Sequence, residues 1–240
     1  MANPAQSQTL MQRVQRSFQS ALGAIVFGME DGTVSIFGLV FGVAASAPNS
    51  QLVLLAGATG AISAAVSMMA GTYLDVSTER DRAQAAIAAE RLEIEQNPAE
   101  EAQEVRDRLL QAGFSAADAE TMLTLIQRTP GALLRFETLT ELQISESANR
   151  NPLVQSIWMF LADLLAAFVP VLPFAFLPLA TARGLSLVVT ALLLLVLGVG
   201  RGIIGHKNIF VTALQTLAIA AAAGAAGLLV GSFLGGQLGG

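Results

Sequence analysis

Apolar positions run in five long blocks along the chain, at about residues 18–47, 51–76, 152–173, 179–204 and 209–234. Each is long enough to supply the roughly 20 helical residues that cross about 30 Å of hydrocarbon. The turn SAPNSQ separates the first two blocks. The third and fourth meet at VPVLPFAFLP, whose prolines cannot continue a regular helix, so a kinked and partly buried connection is expected there.

Between blocks two and three the pattern turns amphipathic and predicts three helices. STERDRAQAAIAAERLEIEQ continues the second span. PAEEAQEVRDRLLQAG opens with proline and closes on Gly113, and SAADAETMLTLIQRTP starts with Ser115 as its N-cap. Leu109, Leu110, Phe114, Met122, Leu123, Leu125 and Ile126 are expected to pack these helices together. GALLRFETLTELQISES then leads back towards the apolar blocks, with Glu137 and Glu141 sharing a helical face. The expected fold is therefore all-α: an integral membrane protein with five transmembrane helices and a cytosolic three-helix acidic domain inserted between helices two and three. The expected bounds are 1–78 for helices one and two, 79–150 for the acidic domain, and 151–240 for helices three to five.

Composition supports a bilayer as solvent, since 53% of the 240 residues are hydrophobic and 13% charged. The charge is concentrated, because residues 79–150 hold 14 of the 18 acidic side chains against 8 of the 13 basic ones, a net −6. Such a patch repels nucleic acid and attracts metal cations or basic partners. With no cysteine in the chain, disulfides, thiolate metal sites and cysteine nucleophiles are excluded. Lys and Arg flank the spans mostly on one side, with Arg13 and Arg16 before the first, eight arginines in the central segment, and Arg201 and Lys207 between the fourth and fifth. Arg183 alone falls opposite. The expected orientation is a cytoplasmic N-terminus and acidic domain with the C-terminus outside. The stretch before Ser20 lacks the pattern of a cleaved signal peptide, so the first span is expected to be retained, in a bacterial inner membrane or its equivalent.

Candidate chemistry lies in the acids. AERLEIEQNPAEEAQEV crowds six glutamates into residues 89–105, with Glu90 and Glu93 on one helical face and Glu101 and Glu104 on another beyond Pro98. Like charges at that spacing cost about 0.2–0.5 kcal/mol per pair unless a cation offsets them. That cation is either a neighbouring arginine, with Arg82, Arg91, Arg106 and Arg108 available, or a hard divalent ion, which suits carboxylate oxygens. His206, the one histidine, reads as an interfacial loop residue, and a di-iron Glu-x-x-His pattern is absent. Within the apolar blocks, Glu30 and Asp31 in GMEDGTVSIFGLVFG are too costly to face lipid. Asp31 is the candidate for a pathway. Met68 or Met69 on the second span offers a polarizable thioether, Glu30 is expected to face a neighbouring helix or the cytoplasmic mouth, and Asp163 is a candidate for handling protons, for pairing with a positive group or for a helix-packing hydrogen bond. Small faces at Gly28/Gly32, Gly38/Gly42 and Gly227/Gly231/Gly235 permit close helix contacts, within a subunit or across a dimer axis.

EDGTVSIFGLVFGVAAS and AISAAVSMMAGTYLDVSTERD resemble the first two spans of the vacuolar iron transporter family, also called CCC1-like, and the likeness extends over nearly the whole chain. The resemblance implies a homodimer with its pathway at the subunit interface. It also implies export of Fe2+, and often Mn2+, from the cytosol in exchange for protons, with no prosthetic group. It places the family's pathway Asp on Asp31, its pathway Met on Met68, and its glutamate ligands on Glu90, Glu93, Glu101, Glu104 and Glu141. Where family members commonly carry a Met-Glu pair, this chain has Glu137 and Thr138, so the ligand set is harder and the balance moves towards manganese. The glutamate that family members often carry after SM in the second span is replaced here, where the chain has Gly71 and Thr72, which leaves Glu30 or Asp163 to serve in proton coupling.

The expected function is a divalent metal transporter rather than an enzyme. Two other readings remain: a membrane-anchored metal buffer or sensor, and an acidic module that docks a basic partner.

Overall fold

The structure is a computed structural model that describes residues 10–142 and 150–238; residues 143–149, which the expected acidic domain includes, and the side chains of Arg13 and Arg16 lie outside the described residues. All regular structure among the described residues is helical: α1 (Leu10–Ser46), α2 (Ser50–Gln96), α3 (Pro98–Gln111), α4 (Ala116–Arg128), α5 (Ala132–Thr140), α6 (Pro152–Val171), α7 (Pro173–Phe176), α8 (Leu179–Ile204) and α9 (Ile209–Leu238). Five helices have the length and apolar character to cross a membrane: α1 from Ser17, α2, α6, α8, and α9 as far as Gly235. At 1.5 Å per residue, the 47 residues of α2 extend about 70 Å. That is twice what hydrocarbon needs, and its apolar part ends near Val76.

The chain divides into two compact units, one of Met1–Tyr73 with Pro152–Gly240 and one of Leu74–Asn151. In the first, α1 is the central helix, packing along α6 and α9, while α8 packs on α9 and touches α1 and α6. The core gathers Ile36, Val40, Val53, Ala61, Val171 and Phe174. The proline stretch resolves into the end of α6, which runs through Pro170, and the short α7. Ser186 of α8 donates to the Pro170 carbonyl at 2.7 Å, giving a hydrogen-bond partner to backbone that the broken helix leaves exposed.

The glycine faces serve contacts within the chain. A side-chain carbon at Gly32 would stand 2.5 Å from the Asp163 carboxylate on α6, and one at Gly42 would stand 2.7 Å from the Gly227 carbonyl on α9. So α1 presents Gly28/Gly32 to α6 and Gly38/Gly42 to α9, with backbones closer than any side chain would allow.

The second unit has four helical pieces rather than the three expected, because residues 132–140 form α5 in addition to the end of α2, α3 and α4. Ser115 caps α4 by accepting from the Asp118 N–H at 3.2 Å, and Gly113 takes the left-handed conformation (φ +95°) that ends α3. Val105, Leu109, Ala119 and Leu123 form the core, with Met122, Ile126, Leu133 and Phe136 packed against it. Leu110, Phe114 and Leu125, expected inside, are exposed. The buried stripe of α3 steps through Glu101, Val105 and Leu109, so Leu110 points about 100° away from it. Leu125 likewise leaves the Ala119–Leu123 stripe of α4, and Phe114 sits in the turn before it.

Candidate functional site

The glutamates converge because three helices each turn one acid inward. On α3 the four-residue step that buries Val105 and Leu109 also buries Glu101, which is 5% exposed. Glu90 of α2 is 3% exposed and Glu137 of α5 is completely enclosed. Glu141 lies just past α5, where its N–H bonds back to the Glu137 carbonyl at 2.9 Å and keeps the two acids one turn apart. One carboxylate oxygen each from Glu90, Glu137 and Glu141 lie within 4.8 Å of one another. Two oxygens that bind one ion at about 2.0–2.6 Å stand no further apart than roughly 5 Å, so these three fit a shared divalent cation.

Arg108 of α3 enters the same cluster. Its guanidinium donates to Glu104 at 3.0 Å and to both Glu137 and Glu141. The remaining buried oxygens, Glu90 Oε1, Glu101 Oε2 and Glu137 Oε1, have no hydrogen-bond partner among the described residues. Burial, then the charges of Glu141, Glu101 and Glu93, push the Glu90 carboxyl up to about 7, against the pull of Arg108. Burial raises Glu101 as well, helped by Glu104, Glu141 and Glu93. Glu93 itself is exposed, so it contributes field rather than enclosure. The charges of Glu93, Glu104 and Glu141 thus bear on the raised acids Glu90 and Glu101, and Glu137 joins them through its convergence with Glu90 and Glu141. Of the four candidate arginine partners, Arg108 pairs within the cluster, and Arg106 reaches Glu120 alone among the described residues, at 3.9 Å.

In the apolar unit, Glu30 and Asp31 line a cavity of about 200 Å³ together with Phe27, Val34, Arg201, Thr216 and Ile219. Glu30 accepts from Arg201 at 2.9 Å and from the Thr216 hydroxyl at 3.1 Å, so its charge is compensated, while Asp31 faces the cavity. Met68 is half-buried on α2 and is not among the residues lining this cavity. Asp163 is fully enclosed on α6, against Gly32, with both oxygens lacking a hydrogen-bond partner among the described residues. The structure therefore joins Glu30 to Asp31 but adds neither Met68 nor Asp163 to their cavity lining.

Sequence reasoning missed Arg201 and Thr216. Arg201 reads as a flank residue between spans, yet it lies within the last turn of α8 and turns inward to an acid 171 positions earlier. A usable signal was present: an arginine and an adjacent pair of carboxylates in otherwise apolar helices invite pairing. His206 stands exposed in the turn after α8 with φ 50° and is not among the residues lining the Glu30–Asp31 cavity.

A profile of the VIT family matches residues 22–232. The chain is similar to vacuolar iron transporter 2 of Oryza sativa subsp. japonica, with 32% identity over 203 residues that cover 84% of this chain and 82% of that protein. It is 30% identical to vacuolar iron transporter 1 of Eucalyptus grandis, over 84% of this chain and 82% of the relative. Protein CCC1 of Saccharomyces cerevisiae shares 29% identity over 63% of this chain and 48% of its own length.

Proposed function

The chain belongs to the VIT family, and from that premise we propose that it carries a divalent metal ion, Fe2+, Mn2+ or both, out of the cytosol in exchange for protons. Its relatives named as vacuolar iron transporters support iron as the cargo. The convergence of Glu90, Glu137 and Glu141, with partnerless buried oxygens beside them, is the observation that carries the reading. Hard oxygen donors in that number suit Fe2+ and Mn2+.

On this reading the Leu74–Asn151 unit is a cytosolic collector, with the N-terminus on the same side and the C-terminus opposite, as the basic flanks suggest. Its glutamates raise the local ion concentration. Asp31, the uncompensated carboxylate in its cavity, then replaces part of the ion's hydration shell within the membrane. Glu30 and Asp163 take the proton-handling role, and Met68 reaches the ion only in an arrangement that includes a second subunit, which a homodimer supplies. No covalent chemistry is involved.

Liposomes holding the purified protein under a pH gradient provide the test, with Fe2+ and Mn2+ flux measured separately. Asp31→Ala is expected to reduce flux at least about 100-fold while leaving ion binding by the glutamates intact. Loss of binding together with flux would show that the two places are not separate stations. The second reading, a membrane-anchored buffer or sensor, draws support from the absence of Met68 in the Asp31 cavity. It predicts ion binding without flux in the unmodified protein.

A further inference from the structure

The cation resting on the glutamates in this structure is an arginine. Arg108 spreads one guanidinium over Glu104, Glu137 and Glu141, and two of those, Glu137 and Glu141, belong to the three whose oxygens converge tightly enough to share an ion. The two arrangements compete for the same atoms. An ion bonded to the Glu137 and Glu141 oxygens at about 2.0–2.6 Å would bring two positive charges to within a few ångströms of the guanidinium nitrogens that now hold them.

Resting on the proposed metal-collecting role, the geometry points to Arg108 as an internal competitor, which an incoming divalent ion must displace and which therefore sets the ion concentration at which the glutamates fill. Three features favour displacement. The Arg108 side chain is 25% exposed, so water borders the guanidinium and can take over its donors as the pairs break. Glu90 Oε1, Glu101 Oε2 and Glu137 Oε1 are enclosed and partnerless, which leaves acceptor capacity that one guanidinium does not use and a compact ion can. A divalent ion brings twice the charge of the group it replaces, whereas a monovalent ion brings no more and lacks the fork of donors. Arg108 thus excludes monovalent cations and weak divalent binding alike.

The contrary account makes Arg108 a strut that ties α3 to the end of α5, so that its loss would loosen the ligands. The two accounts differ in sign. Mn2+ binding to the full-length protein in lipid nanodiscs at pH 8, measured calorimetrically with excess Na+ present, separates them. Arg108→Gln is expected to tighten Mn2+ binding about tenfold or more, and Arg108→Lys, which keeps a point charge but not the fork, to tighten it by less. Arg106→Gln, which removes only the distant contact to Glu120, is expected to change nothing. Unchanged or weaker binding in Arg108→Gln overturns the inference. Should that variant fail to fold, as judged by helical circular dichroism, Arg108→Lys decides: tighter binding sustains the competitor, and equal or weaker binding overturns it. If the unmodified protein and every variant bind no Mn2+ or Fe2+, the metal-collecting reading fails instead.

Discussion

The glutamate cluster and the Glu30–Asp31 cavity each rest an arginine against acid, but they keep very different charge balances. In the cluster five glutamates share the field of one arginine, Arg108. In the cavity Arg201 compensates Glu30 and leaves Asp31 as the single carboxylate without an ion-pair partner there. The solvent of each region explains the contrast. Salt screens an exposed acid such as Glu93 within about 10 Å, whereas the enclosed Glu90 and Glu101 register the crowding as raised carboxyl pKa values. Within hydrocarbon a carboxylate costs about 2.5–3.5 kcal/mol on insertion scales, so in the cavity one of the two acids is compensated, and Asp163 on α6 is enclosed away from lipid. On the proposed function the first arrangement suits capture and the second suits passage, because a transported ion must also leave.

Removing one member of the cluster breaks the comparison most severely. Glu137 is fully enclosed, contributes to the converging set, and bonds Arg108. Glu137→Ala removes a ligand and leaves Arg108 short of a partner, so Mn2+ binding should weaken about 100-fold, and flux at low ion concentration should fall with it. Flux at saturating ion should stay within about threefold of the unmodified protein, since the cavity lining is untouched. A matching loss at saturation would show that the cluster takes part in passage itself.

Proton concentration sharpens the contrast next. With the Glu90 carboxyl raised from the ordinary value of 4.5 to about 7, the acid is protonated through much of the mildly acidic range. Ion binding requires its deprotonation, so Mn2+ affinity of the full-length protein should rise about 20-fold between pH 5.5 and 7.5. Stability of the metal-free unit moves the other way. Because the folded value lies above the unfolded one, the folded state holds the extra proton, and the stability it confers is present below pH 4.5 and lost as pH rises through about 7. Hydrogen exchange in α3 and α5, corrected for intrinsic rates, should therefore be faster at pH 7.5 than at 5.5 without ions, and Mn2+ should reverse the difference.

How legible these regions were in the sequence follows from the range of the interactions. Spacing of three on a helix marked Glu90 with Glu93 and Glu101 with Glu104, and the apolar blocks at 179–204 and 209–234 reappear as α8 and α9 with little change. The cap at Ser115 and the end at Gly113 are local chemistry, and both stand as expected. The inward faces of short helices were harder, because α3 and α4 carry leucines on more than one side and only packing selects Leu109 over Leu110. Least legible were Arg108 as the cation between acids 29 and 33 positions away and Arg201 as the partner of Glu30. Basic flanks attract an orientation argument that needs no partner, so the side chain's own bond goes unasked.

The smallest expected effect tests whether the Glu30–Arg201 pair is a fixed part of the cavity or a bond that opens during transport. Arg201 is 37% exposed along its side chain and Glu30 only 13%, so the acid is the enclosed partner. Glu30→Gln leaves Arg201 a neutral acceptor and keeps Thr216 in reach, whereas Arg201→Gln leaves a carboxylate in an apolar cavity beside Asp31. Arg201→Gln should therefore slow Mn2+ flux about tenfold, Glu30→Gln, with Asp163 still present to handle protons, only about threefold, and the double variant should resemble Glu30→Gln, because the orphaned charge is gone. That pattern identifies Arg201 as the group that keeps a second negative charge from trapping the ion at Asp31. Additive losses in the double variant would mean that each residue meets the ion separately, and the cavity would then resemble the glutamate cluster in function as well as in composition.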